Sequence, residues 1–344
     1  MNEFIKSHLT VDRLLESYKL VTAGCRWKSA VQRFGHDKLS LCVQLYDDIM
    51  NDRYKTMPPQ KFVIFERGKK RVISNLVMRD KVLQRFLCDY CLVPYLDRFF
   101  IYDNSASRKG KGVHFARERV KSFMRRYYQK YGQNGYVLQI DFSKYFNTID
   151  HELLKYILYK RIPEQPIISD ILQMGGGNKG LDLGSQISQI AGILYLSPLD
   201  NFIKIVNSCK FYHRYMDDLV IIHHDKDYLK SILQKIQLFI TKLKLTLNPK
   251  KVFIAKVKHF IFLKTHFYLS ESGAITTTPV KSTLQRHRAK IKRLKRKLTP
   301  EENALNYKSW KCSLRKCFTN TYHAIREADR QFAGLFGTKA EVKQ

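Results

Sequence analysis

The spacing of apolar residues predicts a mostly helical first third of the chain with one hairpin inserted. Apolar positions recur every three or four residues through 1–50, and again over 79–100 and 114–131, which is the period of amphipathic helices. Between the first two segments, aromatic and β-branched residues fill 61–65 and 71–73 on either side of a basic turn. Two short runs of this kind predict a two-stranded hairpin.

Strand patterns dominate the middle of the chain, where they alternate with helical ones, and helical spacing returns after Pro279. The residues Thr299, Pro300 and Glu302 form a helix-start signature there, with a capping residue, a first-turn proline and an acid at the third position. The elements predicted in the middle are a strand at 135–142, helices at 151–160 and 185–204, strands at 211–215 and 219–222, a helix at 227–244 and a strand pair at 260–269.

The charge balance indicates a polyanionic partner. The 344 residues include 62 Lys and Arg against 30 Asp and Glu, a formal net charge of +32. Such an excess repels itself unless a polyanion neutralises it, so nucleic acid is the leading partner and a membrane surface the weaker alternative. The aromatic residues, 12% of the chain, suit stacking on bases.

Targeting and redox signals point to the cytoplasm. The segment after Met1 lacks the apolar core of a signal peptide, and no apolar run is long enough to span a bilayer. The seven cysteines are scattered and odd in number, which favours a reducing compartment. Cys88 and Cys91 form a Cys-x-x-Cys, but no second pair follows at zinc spacing, so we expect both to pack in a core.

Two adjacent acids, Asp217 and Asp218, interrupt the apolar stretch 211–224 between its two predicted strands. A hairpin would place both carboxylates at its tip, where they repel each other and resist burial. A divalent cation relieves both problems, and hard carboxylate oxygens suit Mg²⁺, with Mn²⁺ as a substitute. The alternative interpretation is a solvated Asp-Asp turn.

A third acid, Asp141, ends the apolar strand predicted at 135–142, where a carboxylate is costly without a cation or hydrogen-bond donors. The intervening helices can bring this strand end beside the tip of the Asp217-Asp218 hairpin. Three carboxylates there can hold two Mg²⁺ ions about 3.5–4 Å apart, the geometry of in-line phosphoryl displacement. Asp150 precedes a predicted helix, so we assign it to N-capping.

Three basic segments are candidate phosphate contacts. The hairpin tip 69–71 can hold a triphosphate, and the glycine-containing loop 108–112 suits backbone phosphates although it lacks Walker spacing. Segment 281–297 has nine Lys or Arg in seventeen residues on several helix faces, which fits a duplex phosphate track. For the first and third segments a merely solvated charged surface stays open. The candidate nucleic-acid-binding residues are Arg108, Lys109, Lys111, Arg286, Arg288, Lys292 and Lys295.

Together these motifs resemble the catalytic core of reverse transcriptases. The tetrapeptide 215–218, Tyr-Met-Asp-Asp, and the strand end 140–142, Ile-Asp-Phe, look like that family's signature, and the flanking motifs follow in order over roughly 60–340. The resemblance implies RNA-templated DNA synthesis by two-metal-ion nucleotidyl transfer, with deoxynucleotides, an RNA template and a primer as substrates.

The resemblance also implies a fold. It is an α+β right-hand polymerase fold, with fingers, a palm whose antiparallel sheet holds the acids, and a basic helical thumb. The implied boundaries are 1–135 for the N-terminal helices and fingers, 136–275 for the palm and 276–344 for the thumb. The residues after Leu263 leave room for a thumb but not for an RNase H, endonuclease or integrase domain, so we expect polymerisation alone.

The resemblance assigns roles to individual residues. Lys70 and Arg71 match the fingers residues that grip the incoming triphosphate, and Phe146 matches the steric gate against a ribose 2′-hydroxyl. The dipeptide 262–263, Phe-Leu, resembles the primer grip, with Lys264 in place of the usual glycine. The metal-binding and catalytic positions of the family fall on Asp141, Phe142, Asp217, Asp218 and Lys251, the last as a proton donor to pyrophosphate for which Lys250 could substitute.

The loop 183–189, Leu-Gly-Ser-Gln-Ile-Ser-Gln, is the most diagnostic departure from the family. Most reverse transcriptases have Gln-Gly-x-x-x-Ser-Pro, whereas Leu183 and Gln189 occupy the two ends here. With Gly184 they complete the candidate nucleotide-binding residues. This form resembles reverse transcriptases of diversity-generating retroelements, which copy an RNA template with errors at adenine. A leucine cannot hydrogen-bond a nucleotide as glutamine can, which predicts relaxed base selection.

Several alternatives stay open. Defence-associated bacterial reverse transcriptases share the compact core, so an anti-phage role with a noncoding RNA competes with retroelement diversification. A non-catalytic RNA-binding scaffold is a further alternative, against which the three acids argue, and Phe146 argues against an RNA polymerase or a template-independent transferase. The implied partners are a dedicated structured RNA and an accessory protein or a second copy of the chain, in the bacterial cytoplasm.

Overall fold

The computed structural model describes residues 3–66, 68–162 and 178–336. Within them, no helix is both long and apolar enough to cross a membrane. The chain forms two compact units, and each unit is assembled from separated stretches of sequence. The first unit comprises Met1–Lys109, Phe142–Ser208 and Gln234–Asn248, and the second comprises Gly110–Asp141, Cys209–Leu233 and Pro249–Gln344.

Helices form most of the described chain, and π-helical turns at Leu87–Leu92 and Phe202–Val206 extend two of them. The helices are α1 (Glu3–His8), α2 (Val11–Thr22), α3 (Ser29–His36), α4 (Lys38–Met50), α5 (Met78–Phe86), α6 (Val93–Leu96), α7 (Val113–Tyr131), α8 (Tyr145–Thr148), α9 (His151–Tyr159), α10 (Gln186–Tyr195), α11 (Ser197–Asn201), α12 (Lys226–Lys242), α13 (Lys281–Leu294), α14 (Pro300–Cys317) and α15 (Tyr322–Phe336).

The strands are β1 (Gln60–Glu66), β2 (Lys69–Asn75), β3 (Tyr136–Ile140), β4 (Tyr212–Tyr215), β5 (Asp218–His223), β6 (Phe253–Lys256), β7 (His259–Phe262), β8 (Thr265–Leu269) and β9 (Ile275–Pro279). They form three antiparallel sheets, with orders β1-β2, β4-β5-β3-β6 and β7-β8-β9. Helices with antiparallel sheets confirm the predicted α+β class.

The first unit confirms the predicted helices and the hairpin before residue 100. Its core includes Leu14, Leu45 and Ile49, all fully buried. Cys88 and Cys91 are also buried and unbridged, which confirms their packing role. Burial raises the pKa of the Cys91 thiol to about 12, so it stays protonated and unreactive at neutral pH.

One predicted helix of the first unit is wrong. The single helix expected over 185–204 is divided at Leu196 into α10 and α11. Pro198 lies in the first turn of α11. A proline there lacks the amide hydrogen that a continuous helix needs, but it suits the start of a new one.

The central sheet of the second unit packs on α7. Val120 and Phe123 of α7 are buried against Val137, Val220 and other apolar side chains of the sheet. Burying an aromatic or branched side chain of this size stabilises the fold by about 1.5–3 kcal/mol each. This packing fixes β3 and β5, the two strands next to the predicted acids.

Helix α14 of the second unit begins where the sequence predicts, whereas the helix that follows it, α15, was not predicted. The Thr299 hydroxyl accepts a hydrogen bond from the Glu302 amide at 3.2 Å, and the Glu302 carboxylate accepts from the Thr299 amide at 2.9 Å. This reciprocal pair confirms the predicted capping box of α14. A small apolar cluster of Leu314, Phe318 and Ile325 joins α14 to α15.

Candidate active site

Two of the predicted metal-binding acids end neighbouring strands of the central sheet. Asp141 directly follows β3, and Asp218 is the first residue of β5, which pairs with β3. The ladder between these strands reaches Ile140 and Leu219, so Asp141 and Asp218 occupy its next position. Both acids belong to the second unit.

The third acid lies in the tight turn between β4 and β5. Tyr215 pairs with Asp218, which leaves only Met216 and Asp217 in the turn. The sequence placed both acids at the hairpin tip, whereas the structure places Asp218 within the strand. Met216 has a φ of +56°, a left-handed conformation that costs a non-glycine residue about 1–2 kcal/mol. This conformation turns the chain sharply between the two carboxylates.

The three acids and one lysine interact electrostatically. Burial, followed by the negative charges of Asp217 and Asp141, raises the pKa of Asp218 to about 7, against the opposing effect of Lys251. The Lys251 ammonium is paired with the Asp141 carboxylate. Burial alone would lower the pKa of Lys251, but its hydrogen bond to Asp141 and the nearby Asp218 and Asp217 outweigh burial and raise it.

The chemistry of this donor set fits a divalent metal ion. Asp141, Asp217 and Asp218 offer hard carboxylate oxygens, and Phe142 can offer only its backbone carbonyl. A cation would relieve the repulsion and burial that disfavour the charged form of Asp218. In the described part of the chain, no three His, Cys, Asp or Glu side chains are arranged as a metal-binding group, and Asp141 is paired with Lys251 instead.

Arg214 is a residue at this site that the sequence reasoning missed. It is fully buried in β4, and its Nη1 donates to the Met216 carbonyl at 2.9 Å. This hydrogen bond holds the left-handed turn that presents Asp217. The signal was an arginine inside the apolar strand 211–215, because a buried guanidinium needs a specific partner.

The predicted nucleotide-binding residues lie in the first unit, where the loop 183–189 joins the β1–β2 hairpin. The Ser74 amide of β2 donates to the Leu183 carbonyl at 2.9 Å. Gly184 has a φ of +114°, and an added Cβ would lie 2.8 Å from the Ser74 carbonyl oxygen. Only glycine fits this approach, so the loop is held against the strand that contains Lys70 and Arg71.

The basic residues of the hairpin differ in how they are engaged. Lys70 is exposed, whereas Nε of Arg71 lies 2.9 Å from the Glu66 carboxylate. The side chain of Lys69 lies outside the part of the chain that the structure describes. Lys70 is therefore available to a triphosphate, and Arg71 would share its charge with Glu66.

The other two nucleotide-binding candidates contact their own surroundings. The Ser107 hydroxyl donates to Oε1 of Gln189 at 2.9 Å, which ties the loop 183–189 to the basic segment 105–109. Phe146 is half-buried in α8 and packs edge-on against Tyr145, with ring centroids 5.5 Å apart. The Tyr145 hydroxyl in turn donates to the Gly192 carbonyl, which holds that aromatic pair on α10.

The predicted nucleic-acid-binding residues differ in their contacts within the protein and in their exposure. Arg108 is engaged within the protein, with Nε 2.6 Å and Nη2 2.9 Å from the Asp97 carboxylate. Lys295 donates to the Leu335 carbonyl, and Lys111 lies over the ring of Phe115. The exposed members of the set are Lys109, Arg286, Arg288, Lys292 and Lys295.

The predicted primer-grip turn forms without its usual glycine. Leu263 and Lys264 both adopt left-handed φ values, +45° and +59°. Nη2 of Arg117 lies 3.4 Å from the Leu263 carbonyl oxygen, and the Lys264 carbonyl accepts from the Val280 amide at 3.3 Å. These contacts support a turn that would otherwise cost about 1–2 kcal/mol per residue.

Comparison with known proteins gives one family and two kinds of relative. Residues 57–267 match the family model described as reverse transcriptase (RNA-dependent DNA polymerase). Protein YkfC of Escherichia coli (strain K12) is 23% identical over 171 residues, which cover 46% of this chain and 44% of that protein.

Two solved telomerase structures share the fold. Telomerase from Candida albicans, in complex with a TWJ fragment of telomeric RNA, aligns with a TM-score of 0.53 and 11% identity over 82% of this chain and 55% of that chain. Apo telomerase from Candida tropicalis aligns with a TM-score of 0.52 and 15% identity over 82% and 57%. The chain thus spans less than half of the curated relative and just over half of each telomerase. The predicted right-hand polymerase fold is confirmed.

Proposed function

The chain belongs to the reverse transcriptase (RNA-dependent DNA polymerase) family, and on that premise we propose that it synthesises DNA on an RNA template. The observation that supports this most directly is the pairing of β3 with β5. This pairing places Asp141 and Asp218 opposite each other at the end of the strand ladder, and Asp217 is adjacent in the turn. Nothing in a structural role requires a buried carboxylate and two half-buried ones that repel it and each other at this position.

The reaction we propose is nucleotidyl transfer. The primer 3′-hydroxyl gives its proton to solvent, its oxygen forms a bond to the α-phosphorus of a deoxynucleotide, and the bond between that phosphorus and the pyrophosphate oxygen breaks. Bound Mg²⁺, held by Asp141, Asp217 and Asp218, would lower the pKa of the 3′-hydroxyl and neutralise the leaving group. Lys251 would give a proton to pyrophosphate after leaving Asp141, and the exposed neighbour Lys250 is its substitute.

The first unit would position the nucleotide. Lys70 and Arg71 would hold the triphosphate, and Phe146 would exclude a ribose 2′-hydroxyl. The contact between Ser74 and Leu183 supports this assignment, because it links the basic strand to the loop that would face the base. Gly184 keeps that loop against the strand.

The decisive experiment is deoxynucleotide incorporation with Mg²⁺ on primed RNA and DNA templates. The matched control is the double variant Asp217→Asn, Asp218→Asn, which keeps side-chain size. Template-dependent synthesis by the wild type that the variant lacks would establish the polymerase. If protein co-purified with its native RNA is also inactive, the non-catalytic scaffold replaces this proposal.

We further propose relaxed base selection, as in diversity-generating retroelements. Leu183 supports it, because the side chain at this loop position can accept or donate no hydrogen bond. The variant Leu183→Gln should reduce misincorporation opposite template adenine. Ordinary fidelity that the substitution leaves unchanged would contradict the idea and favour the defence role.

The proposed nucleic-acid partner is a dedicated structured RNA, bound in part by α13. This helix presents Arg286, Arg288 and Lys292 to solvent. Binding through phosphates should weaken steeply with salt, because each neutralised phosphate releases condensed counterions. A nearly flat dependence between low and physiological salt would rule out this phosphate track. Loss of phage resistance on deletion would favour defence, and an adjacent variable repeat with an accessory protein would favour diversification.

A further inference from the structure

We propose that the N-terminal helices contain a second nucleic-acid site, a cleft that binds a nucleotide of a single strand. The cleft has a volume of about 490 Å³ and lies entirely within the first unit, between α3, α4, the start of α5 and the base of the β1–β2 hairpin. That volume falls within the range of about 300–1,000 Å³ typical of small-ligand sites.

The walls of the cleft combine apolar surface with amide groups. Phe34, Leu41 and Leu76 supply apolar surface on which a base can lie. Gln44 and Asn75 line the same cleft, and amide side chains can read base edges because they both donate and accept hydrogen bonds. A flat, partly polar ring with an anionic substituent fits this combination.

The charge of the cleft selects a polyanion. Arg33 and Lys81 line it, and no acidic side chain is among the described residues that do. A third lining cation, Arg79, is already paired with Asp48 at 2.8 Å. The Nζ of Lys81 donates to the neutral Asn75 side chain at 2.7 Å, so its charge remains uncompensated by that contact.

The segment immediately before α3 adds an exposed aromatic side chain, that of Trp27. Trp27 precedes α3 and is 75% exposed, with Nζ of Lys28 lying 5.6 Å from its ring centroid. Lys28 is near enough to Lys81 that, after burial, its charge is the next cause of the lowered pKa of Lys81. An exposed indole beside a cation is an arrangement on which single-stranded bases stack.

A peptide could pack on the apolar wall and on the indole of Trp27, but it would have to be acidic to neutralise the charges of Lys28, Arg33 and Lys81. A single strand satisfies the three cations with its phosphates and the wall with its bases. A duplex would not, because its bases are already stacked and cannot enter the cleft.

The two tryptophans of the chain make the proposal testable without measuring synthesis. In a Trp310→Phe background, Trp27 is the remaining tryptophan, and it lies three residues before Ala30 of the cleft wall, so its fluorescence should respond when a strand binds there. Titration with a short single-stranded RNA should give saturable quenching. A DNA strand of the same sequence shows whether the 2′-hydroxyl contributes to binding. A duplex RNA of equal length should bind at least about tenfold more weakly, a difference of about 1.4 kcal/mol in binding free energy.

The variant Lys28→Ala, Arg33→Ala should weaken quenching at least about tenfold and reduce the slope of log K against log salt by about 1 for each phosphate left without its cation. The control Lys160→Ala, Lys230→Ala removes the same charge from exposed sites elsewhere. Equal weakening in the control, equal binding of the duplex, or no change in Trp27 fluorescence would each overturn the proposal. Because none of these readouts involves nucleotide incorporation, they are independent of the polymerase assay.

Discussion

Nη1 of Arg214 donates to the carbonyl oxygen of Met216 at 2.9 Å, from a side chain that is fully buried. Met216 is held in a left-handed conformation between β4 and β5, immediately before Asp217. Since that conformation is unfavourable for methionine, we expect Arg214 to act as a positioning residue that holds the turn before Asp217.

Replacing Arg214 with lysine should show whether the site needs the hydrogen bond of the guanidinium or only its positive charge. Arg214→Lys keeps the positive charge but cannot reproduce the fork of donors, so we expect a loss of about 1–3 kcal/mol in the free energy of unfolding. Because Asp217 would be misplaced, kcat should fall at least about tenfold, while KM for the deoxynucleotide changes little. Denaturant unfolding and steady-state kinetics measure the two effects. Arg126→Lys, at an exposed position on α7, is the control and should alter neither.

Replacing an acid of the Asp141, Asp217 and Asp218 cluster should abolish DNA synthesis without lowering the stability of the fold. Without metal, Asp218→Asn should leave the melting temperature unchanged or raise it, because the substitution removes a half-buried charge repelled by Asp217 and Asp141. Synthesis should fall at least about a thousandfold, since a catalytic metal supplies several kcal/mol of stabilisation.

Metal binding gives the same cluster a second readout. Mg²⁺ at one hundred times its dissociation constant should stabilise the wild type by about 2.7 kcal/mol, and this increment should vanish in Asp218→Asn. Asp225→Asn, which changes an exposed acid beyond the other end of β5, should retain both the increment and synthesis. A thermal shift by Mg²⁺ that Asp218→Asn preserves would place the metal elsewhere.

Phe146 should determine sugar selection. Truncation to alanine removes the ring that would meet a 2′-hydroxyl, so Phe146→Ala should lower discrimination against ribonucleotides at least about tenfold. Single-nucleotide incorporation of paired ribo- and deoxynucleotides measures the ratio. Tyr145→Phe removes the hydroxyl that donates to the Gly192 carbonyl but keeps both rings. It should leave the ratio unchanged, and a ratio equally altered in both variants would argue against a gate at Phe146.

Asp150 should contribute stability that depends on pH. Its carboxylate accepts from the Lys244 ammonium at 2.7 Å and from the Leu153 amide at 3.0 Å, which confirms the predicted cap of α9. The hydrogen bond from Lys244 outweighs burial and, with the helix amide, holds the pKa of Asp150 below its ordinary value. Its stabilisation is therefore present above the unfolded pKa of about 4 and is lost as the pH falls towards the folded pKa.

We accordingly expect Asp150→Ala to lower the free energy of unfolding by about 1 kcal/mol at pH 7. The difference from the wild type should shrink once the pH falls below about 4. Denaturant titrations at pH 7 and pH 3.5 measure both values. The exposed Asp227, which pairs with Lys230, is the control, and Asp227→Ala should have the smaller effect. A difference for Asp150→Ala that is unchanged at low pH would show that the acid stabilises the helix by some means other than its charge.

Local sequence signals predicted the elements whose cause is local. The capping box at Thr299 and the N-cap at Asp150 were correct, since a helix start depends on residues three or four positions apart. The basic hairpin and the apolar strand before Asp141 were also correct, because alternation along a strand is visible in the sequence. The strand β9 was missed, because its threonine-rich segment lacks an alternating apolar pattern and pairs with β8 only in the folded chain.

Residue type and local period along the chain are enough to specify the three acids, the family to which the chain belongs and the strands beside those acids. The other features of the site depend on the tertiary fold. It set Asp218 inside β5, paired Lys251 with Asp141, engaged Arg108 with Asp97 and buried Arg214 against the Met216 turn. Each of these depends on which strand pairs with which and on how much solvent remains around a charge, and neither is encoded in the spacing of residues along the chain.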